Sequence, residues 1–237
     1  MFTLTKLDHH LQFPNTDIAL QDPNGLLAFG GDLSEQRLLL AYSQGIFPWF
    51  SQGEPIMWWS PEPRGILPLD KFKCSKSLAK FSRNCGYAIS VNRSFNSVIE
   101  ACASIPRQDS GTWITEQMIN AYKHLHAKGH AHSIEVWDQD NLIGGLYGVV
   151  VGKVFCGESM FHSVTNASKL AFMHLVNLLK ENHCNFIDCQ MQNPHLESLG
   201  CIEIPRNEFL RLLKIDSKAT LEPSIWDPRF IEPKLCQ

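Results

Sequence analysis

The 237-residue chain is 44% hydrophobic and 19% charged, the composition of an ordinary soluble globular protein with room for one large domain, or a small one and a medium one. No run approaches the ~18 apolar residues of a membrane-spanning helix, and the start of the chain lacks the basic stretch and apolar run of a secretory signal. The net charge of −3 hides an uneven distribution, because Lys71 to Ile99 holds six basic residues and no acidic one.

The eight cysteines are scattered, with no Cys-x-x-Cys pair, and read as reduced thiols of a cytoplasmic protein. His183, Cys184, Cys189 and His195 match no known zinc spacing, so no metal is expected.

Residues 1–62 read as a small, loop-rich unit. Its best helix follows Ser34, a good N-cap, carries Leu38, Leu39 and Tyr42 as an apolar stripe, and ends at Gly45. The passage "GIFPWFSQGEPIMWWSPEPRG" crowds Phe47, Trp49, Phe50, Trp58 and Trp59 among four prolines, which hold it rigid without a helix. Phe47, Trp58 and Trp59 are expected to seal the junction with residues 63–237.

That second unit alternates helices and strands. "CSKSLAKFSRNC" predicts a helix, "GYAISVN" a strand and "SFNSVIEACAS" a helix. "TEQMINAYKHLHAKG" predicts a helix capped by Thr115 and ended by Gly129. Three consecutive strands follow in "SIEVWD", "NLIGGLYGVVV" and "KVFCGESMF", then a long helix over 167–181, the strand "NFIDCQ" and the short helix "EFLRLLK". The order fits an α+β class: a small N-terminal α/β domain, then a mixed sheet with helices on both faces, as in N-acetyltransferase-type enzymes.

Three features carry chemistry. At 100° per residue, Lys73, Lys76, Lys80 and Arg83 fall within an arc of about 80° of a helix, with no interleaved acid, a pattern suited to phosphate contacts as well as to a plain solvated face. In "NFIDCQMQN", period-two alternation sends Asp188 and Gln190 to one face, either as a hydrogen-bonded pair at a strand end or as a site that handles an amine. Glu158 lies in an apolar strand next to Gly157, either as an edge-strand surface residue or facing the same cavity as Asp188. A phosphate loop, a nucleophile elbow and a dinucleotide fingerprint are absent, and "HSVTNASK" lacks the glycines of a coenzyme A pyrophosphate turn, so a coenzyme A donor is disfavoured and no cofactor is expected.

The strings "DPNGLLAFGGDLS", "LLLAYSQGIFPWF", "PIMWWSPEPR", "GTWITEQMINAY", "GGLYGVVVGKVFCGESMF", "NASK", "FIDCQ" and "SLGCIEIPR" resemble the bacterial leucyl/phenylalanyl-tRNA–protein transferase family from about residue 12 to 214. The resemblance implies an N-acetyltransferase-like (GNAT-type) C-terminal domain. The implied activity is transfer of leucine or phenylalanine, less readily methionine, from aminoacyl-tRNA to proteins that begin with arginine or lysine, marking them for N-end rule degradation. It further implies an amino-acid pocket of Tyr42, Trp49, Trp113, Leu146, Phe155, Met160, Leu175 and Ile187, with Glu158, Asp188 and Gln190 catalytic or positioning the acceptor. Leu146 and Leu175 stand where relatives can carry methionine and phenylalanine, a change of shape within an apolar pocket. The basic helix matches the region proposed to hold the tRNA acceptor stem. The readings competing with aminolysis of the tRNA ester are an acyl-CoA-dependent N-acetyltransferase, a non-catalytic RNA-binding module and a peptidoglycan-type aminoacyl-tRNA ligase.

Changing Lys73, Lys76, Lys80 and Arg83 to Glu is expected to weaken tRNA binding and flatten its dependence on salt, because fewer phosphates are then neutralised. Filter binding across a salt series measures the slope, and an unchanged slope would return these residues to an ordinary solvated surface.

Overall fold

The computed structural model describes residues 4–105 and 113–233. In chain order the elements are β1 (Thr5–Leu7), β2 (Leu26–Gly30), α1 (Glu35–Ser43), β3 (Phe47–Pro48), β4 (Met57–Trp59), β5 (Arg64–Pro68), α2 (Lys76–Asn84), β6 (Ala88–Val91), α3 (Phe95–Ser104) and α4 (Glu116–Ala127). They continue with β7 (Ala131–Asp138), β8 (Asn141–Val151), β9 (Val154–His162), α5 (Ala167–Glu181), β10 (Phe186–Gln190), α6 (Pro194–Ser198), β11 (Ile202–Ile204), α7 (Arg206–Asp216) and β12 (Arg229–Ile231).

The strands form two mixed sheets, a four-stranded one in the order β1-β2-β4-β3 and an eight-stranded one in the order β11-β5-β10-β9-β8-β7-β6-β12. In the larger sheet β9 and β10 run parallel, while the other neighbours are antiparallel. Alternation along the central strands sorts the core: Leu146, Phe155 and Ile187 pack with α5 on one face, while Tyr147, Val149 and Cys156 pack with α3 and α4 on the other. The expected mixed sheet with helices on both faces is therefore present.

Local chemistry explains the helix ends. The Ser34, Ser75 and Thr115 side chains accept from the backbone N–H of Arg37, Leu78 and Met118 and so satisfy orphan donors of the first turn. Gly45 and Gly129 follow their helices with φ of +71° and +80°, where glycine is favoured.

Several elements depart from expectation. The proline-rich passage holds a hairpin, with Phe47 opposite Trp59 and Pro48 opposite Trp58; Pro48 is tolerated because β3 is the sheet edge. Trp58 is fully buried against Phe13 and donates to the Gly30 carbonyl, so its partners lie in the small sheet's own unit. Lys73 precedes α2, leaving only Lys76, Lys80 and Arg83 on the helix. Cys74 is disulfide-bonded, against the expectation of eight reduced thiols, because pairing is decided by approach in space and not by spacing in sequence.

One buried ion pair ties the parts together. Arg64 of β5 and Asp188 of β10 are almost fully buried and bonded through both carboxylate oxygens, Nε to Oδ1 at 2.8 Å and Nη2 to Oδ2 at 2.7 Å. The guanidinium also donates to the Gly45 carbonyl at 3.0 Å and lies between the rings of Phe47 and Phe209, 5.0 and 4.4 Å from their centroids.

Removing one member of such a pair leaves an uncompensated buried charge, which costs ~3–5 kcal/mol. Arg64→Met and Asp188→Leu are each expected to destabilise the fold by about that amount, and the double variant to recover a large part of the loss. Urea unfolding of the four proteins checks this; strictly additive losses would show that the two residues act independently.

Candidate active site

The parallel strands β9 and β10 pair only at Phe155 with Ile187 and at Cys156 with Asp188. Beyond those positions each ladder is irregular. Gly157 and Ser159 of β9 oppose consecutive residues of β8, leaving Glu158 as an extra residue, and β10 shifts register between Asp188 and Gln190, whose φ is +62°. A cavity of about 590 Å³ occupies this divergence.

Its lining is mostly apolar. Trp49, Trp113, Leu146, Phe155, Met160, Leu175 and Ile187 all contribute, so seven of the eight residues expected to form the pocket are brought together there. Trp49 sits at the rim, 38% exposed, with its ring 5.4 Å from that of Trp59 and its carbonyl held by the Trp59 indole N–H. Phe47 lines the cavity as well.

The polar corner is Glu158 with Gln190. Glu158 Oε1 accepts from the Tyr42 hydroxyl at 2.6 Å and from Gln190 Nε2 at 2.7 Å, and Oε2 accepts from the Tyr122 hydroxyl at 3.1 Å. The two tyrosine hydroxyls also touch each other. Burial pushes the Glu158 carboxyl up to about 8; the three donors oppose that shift, and nearby Asp188 adds to it. Burial likewise raises both tyrosines well above 10, so they remain donors at neutral pH.

Two expected site residues lie one layer back. Tyr42 reaches the site as a donor to Glu158 and is not part of the cavity wall. Asp188 does not share the cavity face with Gln190: the left-handed turn at Gln190 breaks the alternation, sending the Gln190 amide toward Glu158 and leaving Asp188 on Arg64. The two remain connected, because the Gln190 backbone N–H donates to Asp188 Oδ1 at 3.0 Å. Arg64 and Tyr122 escaped the sequence reading, since a lone arginine after a proline and a tyrosine in an apolar helical stripe carry no distinguishing signal.

Lys73, Lys76, Lys80 and Arg83 are exposed, and none joins an ion pair among the described residues. Helix α2, which carries Lys76, Lys80 and Arg83, packs on α5, which supplies Phe172 and Leu175 to the cavity. Among the described residues the one cluster with metal-ligating geometry is the exposed trio Asp8, His9 and His10, none of which lines the cavity. No helix among the described residues is long and apolar enough to cross a membrane.

The architecture and site define a mixed α/β protein with an apolar cavity next to a buried carboxyl. Residues 66–214 match the family described as leucyl/phenylalanyl-tRNA protein transferase, and residues 31–62 match that family's N-terminal domain. A leucyl/phenylalanyl-tRNA–protein transferase of Pseudoalteromonas atlantica is 64% identical, covering 97% of this chain and 98% of that one. Another from Tolumonas auensis is 51% identical, covering 96% and 97%. The chain belongs to the leucyl/phenylalanyl-tRNA–protein transferase family of aminoacyltransferases.

Glu158 keeps its proton to about pH 8 in the folded protein, whereas an unfolded glutamate releases it near 4.3. The folded state therefore binds more protons between those values; the resulting stability is fully present below pH ~4.3 and lost as pH rises toward 8. Glu158→Gln keeps the shape and removes the titration. Its Tm relative to wild type is expected to climb from pH 5 to pH 8.5, as read by thermal melts, and a constant difference would contradict the raised carboxyl.

Proposed function

We propose that this protein transfers leucine or phenylalanine, and less readily methionine, from aminoacyl-tRNA to the N-terminal arginine or lysine of acceptor proteins, marking them for N-end rule degradation in the cytoplasm. The observation that carries the reading is the apolar cavity beside Glu158 and Gln190, in a chain of the leucyl/phenylalanyl-tRNA–protein transferase family. Residues 63–237 act as an N-acetyltransferase-like catalytic domain on this reading, and residues 1–62 as a small domain that lends Trp49 and Tyr42. No cofactor or metal is invoked, because the ester of aminoacyl-tRNA is already activated.

Burying a leucine or phenylalanine side chain contributes ~1.5–3 kcal/mol, and one methylene alters discrimination by only ~1–3 kcal/mol. A cavity walled by Leu146, Phe155, Met160, Leu175 and Ile187 thus selects a short list of apolar donors rather than a single one.

The acceptor amine must be neutral to attack. Glu158, pushed up to about 8, is matched to an α-amine of ~7.7–8.0, so proton transfer between them is nearly balanced. Gln190 gives its amide N–H to Glu158, which leaves its carbonyl oxygen to accept from the amine and aim the lone pair at the ester. Attack by the neutral amine on the ester forms the new C–N bond and breaks the bond to the tRNA ribose oxygen; Glu158 in its ionised form takes one of the two amine protons as the C–N bond forms and passes it to the departing ribose oxygen. Asp188, bound by Arg64 and by the Gln190 backbone, acts here as a positioning residue. Holding amine and ester together supplies much of the rate.

A peptide with N-terminal arginine, incubated with labelled Leu-tRNA, is expected to become labelled, while calorimetry with coenzyme A shows no binding. Micromolar coenzyme A binding without label transfer would replace this reading with an acyl-CoA-dependent N-acetyltransferase. Binding of tRNA that is indifferent to its amino acid, with no label transfer, would leave an RNA-binding module.

A further inference from the structure

The shape of the cavity wall goes beyond side-chain selection. Successive side chains of a strand point to opposite faces, so a cavity set against one face touches every second residue. Here Gly157, Glu158, Ser159 and Met160 are consecutive and all line it, because the bulge at Glu158 breaks the alternation, and on the other side Cys189 and Gln190 at the end of β10 line it together with Met191 to Asn193 beyond the strand. The cavity thus lies where the two strands separate. The ladder between β9 and β10 ends at Cys156 and Asp188, and no described strand pairs with β9 on that side from Gly157 onward.

Two glycines sharpen the picture. A Cβ on Gly65 would lie 2.9 Å from the Met191 and Gln192 backbone, so glycine is what lets that wall of the wedge settle against β5. Gly157 is different: its φ is not left-handed, and a Cβ there would meet only the Asp188 carbonyl at 3.6 Å, an ordinary contact. The fold does not demand glycine at 157. What its missing side chain does is leave the strand edge bare for the close approach of another backbone.

We infer that this wedge is a main-chain subsite for the acceptor, in which the first residues of the polypeptide lie extended and add to the edge of β9 at Gly157, with the N-terminal amine delivered to Glu158 and Gln190. The inference rests on the proposed transfer to protein N-termini and adds how the acceptor is gripped. Strand addition gives affinity through peptide groups, which every polypeptide has, and leaves side-chain selectivity to the pockets beside it. An acceptor subsite of this kind is indifferent to most sequence beyond the first residue and intolerant of a blocked or missing amide N–H.

The test is a set of otherwise identical peptides with N-terminal arginine, in which one peptide bond at a time, from the second residue to the fifth, is replaced by an ester. Each replacement deletes one N–H with little change in bulk. Transfer from labelled Leu-tRNA is expected to fall about tenfold in kcat/KM, through KM for the peptide, at one position or at alternate positions, and to change little at those between. Gly157→Ala is expected to raise KM for the unmodified peptide while leaving the Tm unchanged. If every ester peptide matched the parent, the strand-addition subsite would be overturned and the transfer reading would stand. If the unmodified peptide itself took no label, both would fall.

Discussion

The ion pair of Arg64 and Asp188 lies where the large sheet comes apart, and the site is built outward from it. Arg64 opens β5, donates to the Gly45 carbonyl at the end of α1, and is enclosed by Phe47 and Phe209. Asp188 is the last residue at which β10 pairs with β9. A buried pair of this kind contributes little net stability, because desolvation offsets much of the attraction. What it does fix is place: each partner is satisfied only when β5, β10, the end of α1 and α7 are all in register. From Asp188 the chain turns through the left-handed Gln190, and that turn aims the amide at Glu158.

The second constraint is electrostatic. Glu158 is brought into an apolar wall by a bulge in β9 and is tolerated there because Tyr42, Tyr122 and Gln190 supply three donors. Those donors come from α1, α4 and β10, so the small N-terminal unit reaches Glu158 directly through Tyr42. Burial outweighs the donors and leaves the carboxyl in the range of an N-terminal amine. A carboxylate with an ordinary value near 4 would be a poor acceptor for that proton.

Much of this was legible in the sequence, for identifiable reasons. The strand runs 141–151 and 154–162 and the long helix 167–181 are periodic and sharply bounded, and they stand where the residues predicted them. The five short strands before residue 69 were not, because two- to five-residue segments carry no periodicity of their own and are fixed by pairing. The apolar wall followed from motif resemblance and is assembled almost whole. The pairing of Asp188 with Gln190 on one face failed because alternation presumes a regular strand, and the positive φ at Gln190 breaks it. Arg64 and Tyr122 were hidden because their roles depend on partners 124 and 36 residues away in the chain.

Transfer by this route depends on the protonation of a single side chain, Glu158. Carbon-13 NMR of protein labelled at glutamate side-chain carboxyls, with Glu158→Gln used to assign the resonance, reads it directly. A Glu158 signal that titrates near pH 8, well apart from the exposed glutamates, is the predicted result. A signal already ionised at pH 5, moving with the rest, would contradict the proposed proton acceptor.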